Sequence, residues 1–225
     1  MQRLLRLLFV LLVARPVTLF VLGLNIRNRE RLPVRGPAIV AANHNSHLDT
    51  LVLLSLFPLR EIHRVRPAAA ADYFLSKPWL AWFSRNFIGI VPVTRSGASR
   101  HHDPLNECHE TLARGDVLII FPEGTRGEPE TMQKLKSGIV HLAMRCPEAT
   151  VVPVFMHGLG RAMPKGECLL VPFFCDVFVG EPMRWNGDRR GFMERLESQF
   201  KFLQSRLPPA NRLYEGATNA PESES

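Results

Sequence analysis

Hydrophobic residues open this chain in two nearly unbroken blocks, 7–14 and 17–24, parted by Arg15 and Pro16. Beyond a basic linker at 25–35, short apolar, partly β-branched runs alternate with longer stretches of helical spacing. The runs 38–42, 88–93, 117–121, 151–155 and 174–179 read as strands. The stretches 48–57, 78–86, 104–114, 137–145 and 188–206 read as helices, the last carrying Phe192, Leu196, Phe200 and Leu203 on one stripe. Alternation of this kind predicts an α/β sheet with helices packed on it. After Pro208 and Pro209 the tail turns polar, ends in NAPESES, and is expected to be disordered. The length suits a single core. The expected organisation is therefore a basic, apolar anchoring segment at 1–35, one domain at 36–207 and a tail at 208–225.

Charge sharpens the reading of the first segment. Seven arginines against one acid, Glu30, place +6 of the net +7 within residues 1–35. A basic cluster that brackets apolar sequence, without interleaved polar and aromatic residues, points to an anionic membrane surface and away from nucleic acid. A spanning helix needs about 20 apolar residues, which 4–24 could supply. Arg15 and Pro16 interrupt its middle, however, and a central arginine costs about 2.5–3.5 kcal/mol on insertion scales. Two short helices bent at Arg15-Pro16 and lying in one leaflet avoid that cost, so monotopic attachment to the cytoplasmic face is expected (the inner membrane, in a bacterium). A cleaved signal peptide is disfavoured because LVARP lacks the A-x-A pattern.

Other features give less. Cys108, Cys146, Cys168 and Cys175 form no C-x-x-C pair and read as reduced thiols. His101, His102, Cys108 and His109 lack the spacing of a metal site, and no metal is expected.

The most informative stretch is NHNSHLDT at 43–50, where an apolar run meets a helix-like one. His44 and Asp49 lie five positions apart, about 140° around a continuous helix, so they meet only if the chain bends between them. An imidazole held by a carboxylate on one nitrogen has a fixed tautomer, and its other nitrogen can accept a proton. The bland alternative is a capping box, with Ser46 and Asp49 starting a helix. His47 is a second candidate base, at a spacing less suited to Asp49. Further on, VLIIFPEGTR runs a buried strand into Glu123, Gly124, Thr125 and Arg126, at the carboxyl end where α/β sheets bind ligands. Gly124 permits close backbone approach, and Arg126 offers a fork for phosphate oxygens, with Glu123 to orient it or bind a hydroxyl. IGIVPVTR ends another strand in Arg95, and Lys136 precedes a helix-like stretch. No G-x-S-x-G occurs, so a serine nucleophile on the hydrolase pattern has no support.

Together these segments resemble the glycerolipid acyltransferase family. Its N-H-x-S-x-x-D block matches Asn43, His44, Ser46 and Asp49, and its F-P-E-G-T-R block matches 121–126 in full. The glycine-strand-arginine block matches 89–95, with V-P-V at 152–154 and V-G-E-P at 179–182, all in family order. The chain departs at Thr94, where the family often has an acid, and at Leu135 and Ser137 around Lys136. The resemblance implies a mixed, largely parallel sheet flanked by helices. It implies transfer of an acyl group, from a coenzyme A or acyl carrier protein thioester, to a lysophospholipid hydroxyl, without a cofactor. The acceptor it points to is 1-acyl-glycerol-3-phosphate, giving phosphatidic acid. His44 and Asp49 would be catalytic, and Arg95, Glu123, Gly124, Thr125, Arg126 and Lys136 would bind substrate. A different lysolipid acceptor, a hydrolase and a non-enzymatic membrane adaptor are the alternatives.

Overall fold

The computed structural model describes residues 1–74, 76–94, 103–125, 127, 131–162 and 173–207. Seven strands form one sheet: β1 (Leu22–Arg27), β2 (Ala38–Ala42), β3 (Val65–Ala70), β4 (Val91–Val93), β5 (Val117–Ile120), β6 (Thr150–His157) and β7 (Phe173–Val179). Their order is β1-β7-β6-β2-β5-β3-β4. The five from β6 to β4 are mutually parallel, β7 runs antiparallel to β6, and β1 pairs parallel with β7. The carboxyl ends of β2, β5 and β6 therefore share one edge. Central β2, AIVAA, is buried on both faces, as befits a parallel strand covered by helices above and below.

Strand side chains alternate between two cores. Ala38, Val40 and Ala42 join α2 (Leu48–Leu56) and the N-terminal helix on one face. Ile39 and Ala41 join α5 (Asn106–Ala113), α6 (Gly138–Arg145) and α8 (Arg189–Ser205) on the other. The shorter helices are α3 (Ala71–Phe74), α4 (Pro78–Phe83) and α7 (Leu159–Ala162). The α8 stripe of Phe192, Leu196, Phe200 and Leu203 is buried as its spacing requires, and the Asp188 side chain caps the helix by accepting from Arg190 N at 3.0 Å.

Four local features differ from the pattern reading. The first 21 residues form one helix, Gln2–Val21, rather than two. Its first part, α1 (Gln2–Phe9), passes into π-helical turns at Val10–Ala14 and Val17–Val21, and Arg15 and Pro16 keep helical angles between them. The wider π turn relieves the clash that a proline ring makes in an α-helix. The second difference is β1, an edge strand within the stretch read as anchor and linker; its half-buried alternation is hidden inside the apolar block. The third is β3, VRPAAA, a poor strand by composition, whose 65–67 pair with β5 and 68–70 with β4. The fourth is that only Val91–Val93 of 88–93 is strand, because Ser84–Ile88 is π-helical and Gly89 turns the chain at φ +78°. The expected tail at 208–225 lies outside the described residues.

The N-terminal helix belongs to the domain. Phe9, Val10 and Ala14 enter the core, and Phe9 packs edge-on against Phe83 and Phe87. Most arginines of residues 1–35 bond within the domain. Buried Arg6 donates to the carbonyls of His63 (2.8 Å), Val65 and Ile88 (3.2 Å). Arg15 and Arg29 donate to the carbonyls of Phe57 and Leu56 at the end of α2, at 3.2 and 2.6 Å. Cations at such carboxyl ends stabilise by about 0.3–1 kcal/mol each. Arg31 and Arg35 pair with Glu181 and Glu61. Five of the seven basic residues thus hold elements together. The helix's other face, with Leu4, Leu11, Leu12, Leu19 and Phe20, is exposed.

Candidate active site

The chain leaves β2 at Ala42, bends through 43–47 and enters α2, and this bend carries the His44–Asp49 pair. His44 Nδ1 lies 2.8 Å from Asp49 Oδ2. The same oxygen accepts the backbone N–H groups of Asn45 (2.7 Å) and Ser46 (2.9 Å). The carboxylate–Ser46 contact is the acid's half of a capping box, so the cap and the imidazole partner are one side chain. Asp49 is fully buried, and its Oδ1 has no hydrogen-bond partner among the described residues. With Nδ1–H donating to a carboxylate, Nε2 carries the lone pair on a ring whose side chain is 20% exposed. Exposed His47 lies by Tyr73; it is His44 that meets Asp49.

The FPEGT segment after β5 fixes His44 twice. The Phe121 ring stacks on the imidazole with centroids 4.1 Å apart and planes at 17°. Buried Glu123 accepts the backbone N–H of His44 on Oε1 at 2.8 Å and that of Gln133 on Oε2 at 2.7 Å. Burial pushes the Glu123 carboxyl above its ordinary range, against the opposing pull of those two amides. Glu123 therefore holds the His44 bend through its backbone, a task not assigned to it from sequence. Asn43 adds a third fixture. Its amide donates to Met156 O at 2.8 Å and accepts from Met156 N at 2.7 Å, and Asn45 donates to the same carbonyl at 3.0 Å. The end of β2 is thereby tied to β6.

Gly124 has φ +75°, and a Cβ there would come within 2.7 Å of Lys136 Nζ. The Lys136 side chain thus lies over the turn, joined to it also by its backbone N–H to Pro122 O at 2.8 Å. Thr125 is exposed beside it. Arg95 and Arg126, expected to bind phosphate, lie outside the described residues, as do His101 and His102. Among the described residues no group of three or more His, Cys, Asp or Glu side chains is placed to hold a metal ion. A separate cavity of about 710 Å³, between the N-terminal helix, β1 and the end of α2, contains none of the groups around His44.

Phe121, Asn43 and Gln133 were not singled out by chemistry-based reading. Phe121 and Asn43 lie inside the matched motifs, which was the available signal; Gln133 contributes only its backbone and left none.

A family model described as Acyltransferase matches residues 23–157, more than half of the chain. A chloroplastic 1-acyl-sn-glycerol-3-phosphate acyltransferase of Arabidopsis thaliana is 33% identical over 151 residues, covering 64% of this chain and 38% of that protein. The alpha form of 1-acyl-sn-glycerol-3-phosphate acyltransferase from Homo sapiens is 27% identical over 175 residues, covering 75% and 58%. The chain thus spans about 38–58% of the length of these two relatives. The crystal structure of a 1-acyl-sn-glycerophosphate acyltransferase from Thermotoga maritima shares the fold, with TM-score 0.69, 21% identity, and coverage of 89% of this chain and 79% of that one. On its family-model match, the chain belongs to the acyltransferase family.

Proposed function

We propose that this protein transfers an acyl group from a thioester donor to the free hydroxyl of 1-acyl-glycerol-3-phosphate, producing phosphatidic acid. The observation that carries the reading is the 2.8 Å contact between His44 Nδ1 and buried Asp49, on a ring stacked against Phe121. In this reading the acceptor hydroxyl gives its proton to His44 Nε2 as its oxygen attacks the thioester carbonyl. The tetrahedral intermediate collapses, and the departing thiolate takes the proton back from the imidazolium. Asp49 stabilises that imidazolium and keeps the ring in the productive tautomer. General-base help of this kind is worth about 10²–10⁴-fold, so positioning must supply the rest.

The acceptor phosphate would lie against Lys136, Arg126 and Arg95, because Lys136 lies over the Gly124 turn that leads into Arg126. The names of the relatives support the acceptor, and the donor is a coenzyme A or acyl carrier protein thioester. Membrane attachment follows from the exposed leucines and Phe20 of the N-terminal helix. The helix is long and apolar enough to cross a bilayer by length and composition alone. Yet Arg6, near one end, and Arg15, near the middle, bond to carbonyls of the domain. Crossing would drag those partners into hydrocarbon, which favours lying on one leaflet. The test is direct: incubate the protein in detergent with labelled acyl donors and a panel of lysolipids, and identify products by mass. Phosphatidic acid is expected. Free fatty acid alone, or acylation confined to another lysolipid, would overturn the reading.

A further inference from the structure

A second cavity, about 340 Å³, opens at the other edge of the sheet from His44, where β3 and β5 begin. Four residues of β5, at about 3.3 Å each, leave roughly 13 Å of sheet between the two edges. Arg3, Arg6, Arg64, Arg66 and Arg114 line this cavity against a single carboxylate, Asp116. The ion pairs nearby are loose: Arg114 Nε is 3.8 Å from Asp116 and Arg64 Nε is 3.9 Å from Glu61. Arg6 is 2% exposed. The Nε groups of both Arg6 and Arg66 are buried without a hydrogen-bond partner among the described residues. Five guanidinium groups around one carboxylate, two of them with a buried Nε left without a partner, call for an anion.

We propose that this cavity binds a phosphate group at a site separate from the reaction centre. The forks of Arg3, Arg64, Arg66 and Arg114 line one small space, while that of Arg6 is held by carbonyls, and planar forks match a tetrahedral, doubly charged oxyanion better than a carboxylate. Burial and the neighbouring Arg66 charge lower the Arg6 guanidinium to about 9, which leaves it protonated at neutral pH. A bound anion removes the repulsion between the two arginines. The lining also indicates the source. Arg3 and Arg6 belong to the N-terminal helix, whose exposed Leu4 and Leu8 stand on the same turns. A phospholipid lying along those leucines brings its phosphate level with the cavity mouth. A soluble phosphate ester offers the same chemistry.

The test uses the full chain in detergent, with Arg114→Gln, an exposed position that leaves packing intact, and the double variant Arg66→Gln/Arg114→Gln. Inorganic phosphate should raise the Tm of the unaltered protein above a chloride control of equal ionic strength. The rise should shrink in the single variant and vanish in the double. No rise, or equal rises in all three, overturns the site. Vesicles doped with phosphatidate or, at equal surface charge, with oleate identify the source. A preference for phosphatidate of about tenfold, lost in the double variant, assigns a lipid headgroup. A thermal rise without that preference assigns a soluble phosphate. Transfer to a short-chain lysolipid in detergent should be unchanged in Arg114→Gln; its loss would put the cavity in the reaction site and refute a separate one.

Discussion

Replacing Glu123 by Gln tests whether the FPEGT segment acts on His44 through the backbone. The carboxylate accepts one amide on each oxygen, from His44 at 2.8 Å and Gln133 at 2.7 Å. Glutamine keeps one acceptor and turns an NH₂ group toward the other amide. One charge-assisted bond, worth about 1.5–3 kcal/mol, is lost, and a buried N–H is left facing a donor. Relief from burying a charge offsets part of this, leaving a net loss of about 2 kcal/mol. For a chain of this size that is a Tm decrease of about 4–8 °C. Activity should fall through kcat by about tenfold or more, with little change in acceptor KM, because the proposed base is displaced and the proposed binding groups are not. Thermal unfolding and separate kinetic titrations of donor and acceptor check both parts. The pH dependence has a definite sign. Burial raises the folded carboxyl above its unfolded value of about 4.3, so its contribution is intact below that value and is lost as pH rises through the raised one. The stability difference between the native protein and Glu123→Gln should therefore narrow as pH rises across that window. An unchanged Tm, or a raised acceptor KM at constant kcat, would refute the holding role and make Glu123 a ligand-facing acid.

Other outcomes follow from the same geometry. His44→Ala should lower transfer at least about 10²-fold without loss of fold, and Asp49→Asn should lose much of it by freeing the ring; retention of more than about a tenth by His44→Ala would remove the base assignment. Arg126→Lys or Arg95→Lys should weaken acceptor use more than donor use, because a point charge does not reproduce a bidentate fork; equal effects on both apparent affinities would count against the phosphate role. Leu12→Gln with Phe20→Gln, both well exposed, should weaken vesicle flotation with the fold intact, since each buried side chain contributes about 1.5–3 kcal/mol. High salt alone should weaken binding without releasing the native protein, and release by salt would mean charge, not apolar burial, holds it.

Where elements obeyed one periodicity, the chain announced them. The stretches 48–57, 104–114, 137–145 and 188–206 each contain the observed helix within two residues of the expected ends, apart from a cap or a turn. β2, β5, β6 and β7 were legible for the same reason, as short apolar runs in a buried sheet. β3 was not, because Ala68, Ala69 and Ala70 become strand only through pairing with β4. The His44–Asp49 contact was foreseeable, since their spacing demanded a bend and the flanking patterns supplied one. The fixtures around it were not, because they run through backbone groups: the amides of His44 and Gln133 and both polar groups of Met156 leave no trace in side-chain identity.

The N-terminal segment carries the larger lesson about charge. Its +6 suggested a lipid-facing basic patch, yet Arg6, Arg15 and Arg29 close the carbonyl ends of neighbouring turns and helices. A cation in a carbonyl cluster keeps its charge and its donors while losing its availability, so net charge alone overstates what a surface offers to a membrane. The proposed attachment would then rest on the apolar face, and the same helix presents core residues Phe9, Val10 and Ala14 on its opposite side. Removing residues 1–24 would strip a layer of the core and half of β1 together with the exposed apolar face. Anchor and domain are thus one folding unit. In the proposed reading, that coupling would hold the sheet edge bearing His44 at a fixed height above the membrane surface.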